Sequence, residues 1–71
     1  MTNILIVEDD PMVQFIHRNY LEKLGTFETI YSSETIAEAK KLLATRSIQL
    51  ILLDIRLKDG NGIDFLTELR R

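Results

Sequence analysis

Cysteine and tryptophan are absent from this 71-residue chain, proline occurs once and glycine three times. The lack of cysteine excludes a disulfide framework and thiolate metal sites, and it suits a reducing compartment. Long hydrophobic runs are missing as well. The longest unbroken apolar stretches, Ile4–Val7 and Leu50–Leu53, fall far short of the ~20 residues a spanning helix needs, so no membrane partner is expected. Thr2 and Asn3 follow Met1 without a basic or an extended apolar region. No secretory signal is visible, and a cytoplasmic location is expected. Nor is there a charge excess of one sign: nine basic against eleven acidic residues leave a net charge of −2. That balance gives no footprint for direct binding of nucleic acid by this segment. What remains is room for one small domain, held by a single core without disulfide or zinc support.

The residues that are present read as strand and helix in alternation. Ile4–Val7 is short, apolar and rich in branched side chains, as a strand buried on both faces requires. Asp10 is a good helix N-cap, and Pro11 fits the first helical position, where a missing N–H costs nothing. Met12, Val13, Ile16, Tyr20 and Leu24 share one face of the predicted helix, leaving Phe15 and Leu21 off that stripe, and Gly25 ends it. His17, the only histidine, borders the stripe and reads as a solvated or half-buried helix residue. Phe27–Tyr31 is β-prone but mixed in polarity, which predicts an edge strand. Ser32 or Ser33 is the expected cap of a second helix, with Glu34 in its first turn and Ile36, Ala39, Leu42 and Leu43 on its apolar face. Ile48–Leu53 is a third strand, closed by Asp54. Beyond a loop holding Gly60-Asn61-Gly62, a third helix is predicted with Ile63, Leu66 and Leu69 on one side.

The alternation β1-α1-β2-α2-β3-α3 implies βαβ units, a parallel sheet and right-handed crossovers. With the polar strand outermost, the predicted order is 2-1-3, the opening half of a flavodoxin-like α/β fold. Ligands of such sheets bind beyond the carboxyl ends of the strands, where the strand order reverses. Here that point lies between a strand ending in Glu8-Asp9-Asp10 and one ending in Asp54. Crowded carboxylates must raise their pKa values or bind a cation. Oxygen-only ligands point to Mg²⁺. Asp54 suits a nucleophile toward a phosphoryl group, Asp9 a direct metal ligand, Glu8 a ligand through water, and the Arg56 backbone carbonyl a further oxygen. The plainer reading of Glu8, Asp9 and Asp10 is ordinary helix capping, and of Asp54 a turn former.

Two segments carry a family resemblance: Ile-Leu-Ile-Val-Glu-Asp-Asp-Pro at 4–11, and Leu-Leu-Asp-Ile-Arg-Leu-Lys-Asp-Gly-Asn-Gly at 52–62. Together, in this order and at this separation, they resemble the receiver domain of two-component response regulators. The resemblance implies that Asp54 accepts a phosphoryl group from a sensor histidine kinase with Mg²⁺ as cofactor, and that Glu8 and Asp9 are the acid pair ending the first strand. The phrasing of the Asp54 loop looks closest to regulators of citrate- and dicarboxylate-responsive systems. Lys58 departs from the family, which often has proline there, and this should loosen the loop without removing a catalytic group.

The family also uses a Ser or Thr after a fourth strand and a Lys after a fifth, and this chain has no counterpart of either. Residues 1–71 are therefore expected to be a partial receiver, without an output domain, whose parent controls transcription by binding DNA. Independent enzymatic turnover is not expected, and self-association through the free edge of the third strand is. Two enzyme classes with an aspartate at a strand end, dehalogenase-type phosphatases and topoisomerase-primase folds, would want an Asp-x-Asp where this chain has Arg56. A fragment that keeps the fold but cannot be phosphorylated is the alternative reading.

Overall fold

The computed structural model describes residues 2–71; Met1, the first residue of the expected 1–71 span, lies outside them. The elements follow the predicted alternation: β1 (Thr2–Val7), α1 (Pro11–Leu24), β2 (Phe27–Ser33), α2 (Ile36–Thr45), β3 (Leu50–Leu53) and α3 (Gly62–Leu69). One feature was not predicted. The stretch between β3 and α3 holds two short strands, β4 (Arg56–Leu57) and β5 (Gly60–Asn61), paired antiparallel. The main sheet is parallel with order β2-β1-β3, as an α/β chain of this topology requires.

Burial follows the pleat of β1. Leu5 and Val7 point to one face, where they pack with Ala39 of α2 and Phe65 of α3. Ile4 and Ile6 point to the other, against Leu21 of α1. The strand needs apolar residues at successive positions because helices cover both its faces.

The helix ends have local causes. Asp10 Oδ1 accepts a hydrogen bond from the Met12 N–H (2.9 Å), with Pro11 in the first turn of α1. Gly25 takes φ 65° at the C-cap, a conformation glycine adopts without a Cβ penalty. The cap of α2 is neither serine but Thr35, whose Oγ1 accepts from the Glu38 N–H (3.1 Å). Ser32 and Ser33 extend the ladder opposite Ile6 and Val7, so β2 runs two residues further than predicted and Glu34 precedes the cap.

Two helices present faces other than those their periodicity suggests. On α1, Met12, Ile16, Tyr20 and Leu24 are each more than half exposed, and Leu21 is the residue buried against the sheet. This helix is apolar on two sides, and period alone does not say which side meets the sheet. On α3, Phe65 is 1% exposed, whereas Ile63, Leu66 and Leu69 are 55%, 46% and 40% exposed. Those three line a groove with Ile51, Leu53 and Ile55 beside β3. The groove is open because β3 is an edge strand: among the described residues nothing pairs with its outer side. Leu50 and Leu52 are correspondingly 48% and 39% exposed.

Candidate functional site

β1 and β3 lie side by side in register, Val7 opposite Leu53, so both strands end at one level. The pairing continues one residue further on each side: the Asp54 N–H donates to the Val7 carbonyl (3.0 Å), and the Glu8 N–H to the Ser33 carbonyl (3.0 Å). These bonds fix Glu8 and Asp54 next to each other at the carboxyl end of the sheet. Glu8 continues the parity of Ile4 and Ile6, and Asp54 that of Leu50 and Leu52, so both belong to the face that α1 covers.

With Asp9, the next residue of the chain, they form a cluster of carboxylates. One oxygen from each of Glu8, Asp9 and Asp54 lies within 4.8 Å of the other two. Glu8 is buried at 8% exposure, and the two aspartates are half-buried. Among the described residues the ion pairs are Arg18–Glu22 and Lys40–Glu68, both elsewhere, so no basic side chain offsets the cluster. Burial pushes the Glu8 carboxyl above the usual carboxylate range. The Asp10 N–H, 3.1 Å from Glu8 Oε2, opposes that rise, while the neighbouring Asp9 and Asp54 add to it.

This donor set fits a hard divalent cation. It consists of oxygens alone, is concentrated in one small volume, and carries negative charge that no ion pair among the described residues offsets. Mg²⁺ bound by a few carboxylates would leave positions for water and a phosphate oxygen.

The other residues singled out in the sequence are not among these three carboxylates. Asp10 stands outside the cluster, its side chain occupied as the α1 cap. Arg56 opens β4, two residues past Asp54. His17 is half-buried on α1, with Nδ1 buried and unpartnered, and lines a cleft with Val7, Glu8, Leu52, Leu53 and Asp54.

Of two further residues that support the site, Gln14 does not stand out in the sequence and Gly62 reads there only as a loop glycine. Gln14 Nε2 donates to the carbonyls of Glu8 (3.2 Å) and Ser33 (3.3 Å), tying α1 to the ends of β1 and β2. Its signal in the sequence is a polar residue seven positions before Leu21, on the side of α1 that the sheet covers and the predicted stripe does not include. Gly62 is buried at the start of α3, and its N–H donates to the Ile55 carbonyl (2.6 Å). A Cβ at Gly62 would collide with the carbonyl oxygen of Asp54, so α3 starts directly against the backbone that carries Asp54.

The same architecture occurs in known proteins. Residues 4–71 match the response regulator receiver domain family. The chain is 43% identical over 70 residues to the transcriptional regulatory protein MalR of Bacillus subtilis, covering 99% of this chain and 30% of the relative. It is 38% identical over 72 residues to a probable C4-dicarboxylate response regulator, DctR, of Halalkalibacterium halodurans, covering 99% and 30%. Among solved structures, the MaeR response regulator bound to beryllium trifluoride superposes with a TM-score of 0.98 at 92% identity, covering 100% of this chain and 58% of that one. The chain thus spans about a third of the length of these curated relatives. Its matched region includes both strands whose ends assemble the acid cluster, and the chain belongs to the response regulator receiver domain family.

Proposed function

We propose that this chain is the first part of a phospho-accepting receiver, in which Asp54 takes a phosphoryl group from a sensor histidine kinase. The observation that carries this reading is the convergence of Glu8, Asp9 and Asp54 at the mouth of the sheet, with no basic partner among the described residues. In this reading Asp9 and Asp54 would hold Mg²⁺ directly, Glu8 would hold it through water, and the Arg56 backbone carbonyl would add a further oxygen. Bound there, Mg²⁺ would supply positive charge to offset that of the transferring phosphoryl group. A carboxylate oxygen of Asp54 forms the new bond to phosphorus as the phosphohistidine N–P bond breaks, and the leaving imidazole nitrogen keeps the electron pair until it is protonated. Asp54 acts as acceptor, so no turnover of its own is required.

The parent is proposed to be a cytoplasmic, DNA-binding regulator of transcription. The likeness to DctR and the phrasing of the Asp54 loop support a dicarboxylate-type signal. The bare outer edge of β3 supports self-association of the chain when it stands alone, and a sedimentation coefficient that rises with concentration is the expected result.

The chemical test is intact mass after incubation with Mg²⁺ and acetyl phosphate. The expected result is a gain of one phosphoryl group by the wild-type chain, with none in Asp54→Asn and none when the metal is chelated. An equal gain in Asp54→Asn would place the chemistry elsewhere. No gain by a folded wild-type chain would favour the alternative, a fragment that keeps the receiver architecture without the phosphoryl chemistry.

A further inference from the structure

The backbone that leaves Asp54 is fastened at both ends of its hairpin. At one end, the Gly62 N–H bonds the Ile55 carbonyl, and Asn61 Oδ1 caps α3 by accepting from the Ile63 N–H (2.7 Å). At the other, the turn between β4 and β5 carries Asp59, whose carboxylate reaches a different helix. Its Oδ1 accepts from the Ile36 N–H (2.8 Å) and its Oδ2 from the Ala37 N–H (3.0 Å). These are the first two amides of α2, which a helix leaves without partners of its own. Thr35 satisfies the Glu38 amide of the same turn, so local and distant caps divide the end of α2 between them. Gly60 lies against the same helix, since a Cβ there would stand 2.8 Å from Ile36 Cδ1. The two amide bonds also hold the Asp59 carboxyl below the usual carboxylate range.

We propose that Asp59 is a positioning residue for the acid site. By clamping the hairpin tip to α2, it fixes the backbone from Asp54 through Arg56, so the cluster's affinity for a divalent cation depends on a contact outside the cluster. This inference rests on the metal-assisted phosphoacceptor reading above. In sequence, Lys58-Asp59-Gly60 is only a turn, and the clamp exists because the sheet topology brings the start of α2 beside the loop that follows β3.

The test is a titration of the ¹⁵N-labelled full chain with Mg²⁺ alone, followed through backbone amide shifts, together with amide hydrogen exchange and thermal melting. In Asp59→Ala, the Mg²⁺ Kd is expected to rise about tenfold, the low end of what loss of an outer-shell support costs. The Ile36 and Ala37 amides should lose exchange protection. Thr35→Ala removes the other cap of the same helix without touching the hairpin. It should lower the melting temperature comparably while holding the Mg²⁺ Kd within about twofold, which separates positioning from helix capping. Asp59→Asn keeps one acceptor oxygen and should fall between wild type and Asp59→Ala, and it serves as the test if the alanine variant does not fold. Wild-type affinity in both Asp59 variants, or an equal loss in Thr35→Ala, would overturn the proposal. A folded wild-type chain with no response to Mg²⁺ would overturn the metal reading itself and the positioning role with it.

Discussion

Replacing Gly62 with alanine is expected to destabilise the chain by about 3 kcal/mol or more, at or beyond the upper end for overpacking. The added Cβ would meet the Asp54 carbonyl oxygen, and it would stand 3.0 Å from both the Asp54 carbonyl carbon and the Ile55 Cα. All three are main-chain atoms and cannot turn aside as a flexible side chain would. Relief requires α3 to move away from the end of β3, which breaks the bond from the Gly62 N–H to the Ile55 carbonyl and shifts Asp54. Typical stabilities of ~0.05–0.15 kcal/mol per residue give a chain of 71 residues only several kcal/mol in all. Thermal melting should therefore fall by more than about 12 °C or lose its cooperativity. A Gly62→Ala melt within a degree or two of wild type would show that the close approach is relaxed cheaply.

The second large effect is expected at Phe65. This ring is 1% exposed and packs with Leu5, Val7 and Ala39, joining α3 to β1 and α2. Truncation to alanine removes the ring and leaves a cavity between three elements, at a cost of about 3–5 kcal/mol. Leu66→Ala supplies the contrast. Leu66 is 46% exposed in the open groove beside β3, and its loss should cost no more than about 1 kcal/mol. Denaturant melts of the two variants measure the difference. Equal destabilisation would mean that the groove is covered in solution, as self-association through the β3 edge would make it.

Helical period places Ile63, Leu66 and Leu69 on an apolar side of α3, yet Phe65 is the side chain that is buried. All four residues are apolar, and helical period shows that a side exists without showing what stands opposite it. The same holds on α1, where Leu21 is buried against the sheet and Met12, Ile16 and Tyr20 stay more than half exposed. Ser33 illustrates a different limit: a serine at the end of a β-prone run is both a good cap and an acceptable strand residue. Pairing of β2 with Val7 of β1 decides for the strand.

The acid site was more legible. Runs of apolar residues bracketed by Asp and Pro mark where strands end, and a βαβ pattern requires parallel strands whose carboxyl ends share one side. Those two constraints bring Glu8, Asp9 and Asp54 to one end of the sheet, and their carboxylate oxygens lie within 4.8 Å of one another. Asp10 was legible as a cap for a still more local reason, since a capping bond spans only two residues.

Local pattern and chain connectivity control the alternation of strands and helices, the parallel order 2-1-3, the carboxyl ends of β1 and β3 and the acids placed on them, and these are legible without the fold. Packing settles the rest: which apolar faces are buried, that the stretch after Asp54 forms a hairpin, and that Asp59 caps a helix 22 or 23 residues before it in the chain. The hairpin is local, but the buried faces and the Asp59 cap depend on contacts between segments far apart in sequence. Several side chains compete for each such contact, and the choice among them is made by packing.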